Sequence, residues 1–271
     1  IALKNSPDKL TDYFHNRNLK IDEININKWN KIDVLVAGCG TGQHAITTAT
    51  KYKNSFVTAL DLSANSLSYA KRKADELGIN NIEFVQMDLL NLKNYKKKYN
   101  IIESVGVLHH MDQPYEGWKI LNENLYSGGL IMIGLYSKIA RKHIDTIRDN
   151  FNKNNIEVNK KNIVSFRENI ISSKKNNYKL LKQSPDFYSY SNLVDLLFHV
   201  QEHRFTISKI KKCLSKLGLI FLGFEDQLVK EKFGKIYTDE VDLYDLDKWE
   251  KYERSNPRTF AGMYQFWCKK I

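Results

Sequence analysis

Three glycines at alternate positions, Gly38, Gly40 and Gly42, close an apolar run that begins at Ile32. A bend of this kind lets a ligand lie against the backbone, where any side chain would block it. A helical pattern starts at Gln43, and the N–H groups of a helix start attract a negative group. A dinucleotide site places a third glycine one turn into the helix. Gln43 stands there instead, so the pattern is G-x-G-x-G. Asp61 ends the next apolar run, 55–60, where a carboxylate can accept both hydroxyls of a ribose. Bend plus acid reads as a nucleoside site without a case for pyrophosphate.

Further along, Asp88 closes a third apolar run. It suits an adenine amino group and equally suits the N-cap of the next helix. His109 and His110 follow a fourth run, and Tyr136 leaves a fifth. A histidine titrates near neutrality, which suits removal of a proton from a nucleophile; a loop histidine can also serve structure alone. His199 to His203 spells H-x-x-E-H, a zinc pattern when it lies on a helix. The same residues, with Arg204, can form a polar wall facing a substrate.

These residues need a scaffold. Runs at 32–36, 55–60, 82–85, 101–107 and 130–136 read as strands. Helical patterns alternate with them: one from Gln43 with Ala45, Ile46 and Ala49 inward, and one capped by Ser63 and ended by Gly78. A third opens at Pro114, with Trp118, Leu121 and Leu125 inward, and is closed by Gly128-Gly129. The alternation predicts an α/β, doubly wound, mostly parallel sheet with right-handed crossovers. Residues 138–204 break the rhythm and read as a helical insertion folded over the sheet edge as a lid, with a looser segment at 174–190. The pattern resumes with Thr206 capping a helix, a strand at 219–224, a helix over 237–253 and a strand at 260–268. The last strand is expected to be antiparallel. Residues 1–30 read as a short helical cap that could cover the ligand, leaving 31–137 and 205–271 as the core.

With 271 residues, 42% hydrophobic and 27% charged, the chain is long enough for a full core. No apolar run reaches bilayer length and no signal peptide is evident. The first residue is Ile, not Met, which leaves open whether the chain is a piece of a longer one. Three scattered cysteines exclude a disulfide frame and point to a cytoplasmic setting. The net charge of +11 admits a nucleic-acid partner, but the basic residues are spread out, which favours a lysine-rich surface.

Taken in order, these motifs resemble the class I S-adenosylmethionine-dependent methyltransferases. The resemblance is closest to a bacterial subgroup often fused to tetratricopeptide repeats, carried by 103–110, 198–206 and 261–267. It implies a Rossmann-like seven-stranded sheet and S-adenosyl-L-methionine as cofactor. Gly38, Cys39, Gly40, Gly42 and Gln43 would seat its methionine part, and Asp61 with Leu62 its ribose. Met87, Asp88 and Leu89 would frame the adenine, while Glu103 and Ser104 would pass beneath the sulfonium. His109, His110, Glu202 and His203 are the catalytic candidates; Tyr136, His199 and Arg204 face the acceptor; no metal is expected. The acceptor is an O or N group of a small metabolite, glycan or polypeptide. The alternatives are an RNA methyltransferase or a non-catalytic cofactor-binding protein, and a metalloprotease ranks last.

Overall fold

The computed structural model describes residues 7–20, 26, 29–153, 157, 159–198 and 201–271. Seven strands form one sheet: β1 (Ile32–Ala37), β2 (Ser55–Asp61), β3 (Ile82–Gln86), β4 (Tyr99–Val105), β5 (Leu125–Leu135), β6 (Leu219–Phe224) and β7 (Tyr264–Lys270). The order across the sheet is β3-β2-β1-β4-β5-β7-β6. β7 alone runs antiparallel, inserted between β5 and β6. The strand order reverses between β1 and β4, and in such sheets ligands lie outside the carboxyl ends of the strands at that reversal. The glycine bend leaves β1 at this point.

Helices cover both faces, so successive residues along most of β1, β4 and β5 are buried. After β1 comes α2 (Gln43–Ala49), and after β2 comes α3 (Ala64–Glu76), whose cap Ser63 accepts from the Ser66 amide at 3.2 Å. α4 (Pro114–Glu123) buries Trp118 and Leu121, and α9 (Ile207–Leu217) is capped by Thr206. The N-terminal segment contributes α1 (Leu10–His15). Its Tyr13 and Phe14 rings pack against Tyr52 at 5.1 Å and Trp267 at 4.8 Å, so the described part of this segment belongs to the core.

The insertion holds α5 (Lys142–Lys153), α6 (Lys160–Ser172), α7 (Asn176–Lys182) and α8 (Tyr190–Phe198). It has a core of its own, built from residues such as Ile144, Ile163, Leu181, Phe187 and Leu197. Its two connections to the sheet lie side by side: Ser137 bridges Phe205 in parallel register, and the Lys138 amide donates to the Phe205 carbonyl at 2.8 Å.

Several sequence expectations change. β4 begins at Tyr99 and ends at Val105, two residues before the expected limit. β5 begins at Leu125, not at 130, so Leu125 is a strand residue. The β4–β5 register steps from Tyr99↔Leu125 to Ile101↔Leu130, and the excess chain is absorbed around Gly128, whose φ is 74°. The looser segment at 174–190 contains α7. The expected helix over 237–253 is a 3-10 turn (Glu240–Tyr244) followed by α11 (Leu246–Ser255), and α10 (Gln227–Gly234) was not anticipated. β7 starts at Tyr264, later than expected, because 260–263 form the approach to the sheet.

Candidate active site

The three glycines of the bend do different work. All have positive φ: 77° at Gly38, 53° at Gly40 and 87° at Gly42. A Cβ on Gly38 would lie 2.3 Å from the Val107 side chain, so this glycine lets β1 approach the loop after β4. A Cβ on Gly42 would lie 2.4 Å from that of Ala70, so this one seats α2 against α3. A Cβ on Gly40 would meet nothing within 4 Å. Gly40 therefore presents bare backbone to open space, the cradle a ligand requires. Cys39 between them is buried, and burial, helped by the nearby Asp61 charge, pushes its thiol up to about 12. It stays protonated at neutral pH and contributes packing. Gln43 is exposed beside the bend.

Asp61 faces the same space. Its Oδ2 accepts from the Gly40 amide at 2.7 Å and its Oδ1 from the Ser63 amide at 2.9 Å. Each carboxylate oxygen can accept twice, so two amides orient the group and leave capacity for hydroxyls. Leu62 follows with 68% of its surface exposed, an apolar platform at the carboxyl edge. Asp88 N-caps the turn Leu89–Asn94 by accepting from the Leu90 amide at 2.8 Å. Leu89 beside it is buried in the core, and Met87, half-buried, donates its amide to the Asp61 carbonyl at 3.1 Å.

Glu103 departs from expectation. Its side chain is fully buried, bonded to α2 and the residues just after it. Oε2 accepts from His44 Nε2 at 2.7 Å and Thr48 Oγ1 at 2.6 Å. Oε1 accepts from Lys51 Nζ at 2.9 Å and the Tyr52 hydroxyl at 2.8 Å. Burial opposes the charge, but Lys51 and the bonds from His44 and Thr48 outweigh it and hold the carboxyl well below the usual range. Four donors consume the group, so it cannot also serve a sulfonium. Ser104 is fully buried, and its hydroxyl has no hydrogen-bond partner among the described residues.

The other side of the edge is built from β4, β5 and the returning segment 201–205. His109 is fully buried in the 3-10 turn Leu108–His110. Its ring lies 3.9 Å from that of Tyr136 and 4.3 Å from that of His110. Arg141 covers the outer face of Tyr136 at 3.7 Å. The His203 amide donates to the His109 carbonyl at 2.7 Å, and the Phe205 amide to that of Tyr136 at 2.9 Å. Residues 201–204 are therefore a strap along the strand ends and not a helical turn. Within it the Glu202 side chain is 1% exposed and held by two guanidiniums. Arg141 reaches it in bidentate fashion at 3.1 and 2.8 Å, and Arg204 Nε donates to it at 2.8 Å. Arg204 also pairs with Asp145. This corrects the catalytic expectation for Glu202: both oxygens are committed to the latch. His199 lies outside the described residues. Sequence reading missed Arg141, His44 and Lys51, which lie outside every motif and show their role only through distant partners.

A family profile described as Methyltransferase domain matches residues 29–185, more than half of the chain. The chain belongs to the methyltransferase domain family. Among curated proteins it is 27% identical to an uncharacterized protein of Synechococcus sp. over 230 residues, 81% of this chain and 55% of that one. It is 36% identical to a probable (S)-tetrahydroprotoberberine N-methyltransferase 2 of Papaver bracteatum, over 29% of this chain and 22% of that one. Among solved structures it is similar in fold to PKMT2 from Rickettsia typhi in complex with AdoHcy. The TM-score is 0.65 at 16% identity, covering 94% of this chain and 52% of that one. The chain thus spans about half the length, or less, of these relatives.

For a methyltransferase domain the donor is S-adenosylmethionine, and the reaction class is methyl transfer from it. The methyltransferase fold supplies the cradle at Gly40, the oriented acid Asp61 and the apolar platform Leu62. These fit a nucleoside carrying a charged, flexible tail. The donor brings the reactive carbon, so the protein's part is to place it and to shape the field around it. Among the described residues no helix is long and apolar enough to cross a membrane.

Proposed function

We propose that this methyltransferase acts on an oxygen or nitrogen of a polar acceptor, a small metabolite, glycan or polypeptide, with His110 as the base. The observation that carries the reading is the bond between His110 Nδ1 and the Gln201 carbonyl at 3.1 Å. A carbonyl only accepts, so Nδ1 carries the proton. In the neutral ring Nε2 is then the lone-pair nitrogen, the form a general base needs. Gln201 also places its amide nitrogen 3.2 Å from His203 Nε2 and 3.2 Å from Asp112. That bond occupies His203 Nε2 and makes His203 a wall residue. His109, enclosed by the strap, supports Tyr136 and His110.

A polar acceptor is favoured by the cavity beside the strap. It measures about 520 Å³ and is lined by Lys138, Asp145, Arg148, Asp149, His203 and Arg204. Alternating charges at its rim suit a hydrophilic group better than a hydrocarbon. Asp61 on ribose with Leu62 beside it, Met87, Asp88 and Leu89 around adenine, and Gln43 near the carboxylate of the donor belong to this proposal. So does kinship with the subgroup fused to tetratricopeptide repeats, supported by 103–110, 198–206 and 261–267. Cytoplasmic residence is supported by three buried free thiols, Cys39, Cys213 and Cys268.

Transfer of labelled methyl from S-adenosylmethionine to panels of metabolites, glycans, polypeptides and RNA tests the reading. Incorporation into a polar acceptor is expected, with His110→Ala reducing it roughly a hundredfold or more and leaving AdoHcy binding intact. Incorporation that His110→Ala leaves untouched removes the base. Donor binding with blank panels throughout points to a non-catalytic cofactor-binding protein.

A further inference from the structure

We propose that Glu103 and His44 form a positioning pair that sets affinity for the methyl donor without touching it. The pair acts by fixing the glycine bend against β4. The starting point is how little holds α2 on its own. It has seven residues, and its N-cap, Gly42, supplies no side-chain bond. A helix this short has almost no stability of its own, so its place is dictated by what it touches. On one side the bend meets α3, where Gly42 admits Ala70. On the other it meets Glu103.

The donors to Glu103 are arranged for this purpose. His44, Thr48 and Lys51 follow one another at i, i+4 and i+7, the spacing of one helical stripe, and Tyr52 adds the fourth bond. His44 is the second residue of α2, immediately after the bend. One carboxylate on β4 thus grips α2 at its first turn and again past its last. Rotation or sliding of α2, which would misplace Gly40 and Gln43, breaks several bonds to a buried ion at once.

Burying a charge is a poor way to gain stability, since apolar residues of the same volume do as well or better. What it secures is one geometry, because a charged acceptor with four fixed donors tolerates little displacement. Glu103 pairs with Val36 across β1–β4, two residues before the bend. The hub therefore lies one step behind the cradle.

His44 separates this role from general stability, because its side chain is 36% exposed and it supplies only one of the four bonds. Donor binding is measured by calorimetry with S-adenosylmethionine and AdoHcy, beside the thermal midpoint of each variant. His44→Ala is expected to weaken both ligands roughly tenfold while the midpoint moves by less than about 4 °C. His44→Gln, which can still donate to Oε2, should restore affinity to within about threefold of the parent. Thr48→Val, further from the bend, should weaken binding less than His44→Ala. Affinity unchanged in His44→Ala overturns the proposal. So does an equal loss in His44→Ala and His44→Gln, which would mean the imidazole meets the donor directly. If the unaltered protein binds neither ligand, the donor assignment itself fails.

Discussion

Two glutamates with no solvent exposure stand behind the two halves of the site, and they are held in opposite ways. Glu103, behind the donor half, accepts from Lys51, His44, Thr48 and Tyr52, a set that includes a cation. Glu253, on α11 behind the acceptor half, accepts among the described residues from hydroxyls: Ser137 Oγ at 2.6 Å and the Tyr264 hydroxyl at 2.8 and 2.6 Å. One environment keeps a charge in place. The other shifts its carboxyl the opposite way: burial raises Glu253 against the pull of Ser137 and Tyr264, and Glu250 adds to the rise. An ion with a cationic partner stands behind the donor half; behind the acceptor half, hydroxyl bonds join Glu253 to Ser137, the residue after Tyr136, and the strap itself is held by Glu202 and its two guanidiniums.

The largest effect expected from this contrast is on stability. Glu103→Ala leaves Lys51 and three further donors facing a void and should cost about 3–5 kcal/mol. Chemical denaturation at pH 7 measures it. Glu253→Gln keeps an acceptor for Ser137 and Tyr264 and should change stability by about 1 kcal/mol or less. Equal losses would erase the distinction between the halves.

Next comes the donor site. Asp61→Ala removes the carboxylate proposed to meet the ribose and frees the Gly40 and Ser63 amides. Hydrogen bonds to a charged group are worth about 1.5–3 kcal/mol each. Calorimetry with AdoHcy should show affinity falling on the order of a hundredfold or more, with the fold retained. A change smaller than about threefold would move the ribose elsewhere.

The donor half was legible in the sequence because its parts are local. Gly38 to Gly42, Asp61 and Asp88 each end a strand, and period, cap and turn residues mark those ends within a few positions. Even so, a glycine reads the same whether it admits Val107, Ala70 or open space, so the three separate roles emerged only in three dimensions. Glu103 was misread for a related reason. Its motif told that it follows the sheet, but which face it takes depends on pairing with Val36 and on donors 51–59 residues away in the chain.

The acceptor half was less legible because it is assembled from distant segments. Glu202 meets Arg141 across 61 positions, and His110 meets Gln201 across 91. H-x-x-E-H implies helical spacing, and only the backbone bonds to His109 and Tyr136 reveal that 201–205 is extended. α10 was missed because its apolar positions are few and Leu228 is exposed.

Arg141→Met tests the acceptor half at the ion pairs of its strap, where Glu202 meets Arg141 and Arg204, and Arg204 meets Asp145. The change removes the bidentate partner of Glu202 and the cover on Tyr136, leaving Arg204 as the remaining guanidinium on that carboxylate. A cost of about 2 kcal/mol is expected, felt as local opening. Hydrogen exchange should quicken at the His203 and Phe205 amides while amides of β1 and β2 keep their protection. Uniform quickening would mean that the strap opens only with the whole fold.

The smallest and most diagnostic effect is the pH dependence of the two glutamates, which should have opposite sign. Glu103 is held below its unfolded value, so its contribution is complete above about pH 4.3, the unfolded reference, and is lost as pH falls through its folded value. Glu253 is held above that reference. The unfolded chain gives up this proton first, near pH 4.3, while the folded one keeps it. Stability from Glu253 is therefore present below that pH and declines as pH rises toward its folded value. Glu253→Gln removes the decline, so the variant should gain on the parent as pH rises from about 4.3 toward neutrality. Glu103→Gln should fall behind over the same range. Denaturation curves across that interval compare them directly. Parallel slopes for the two variants would show that Glu253 is not held above its unfolded value, and the contrast between the two buried glutamates would be lost.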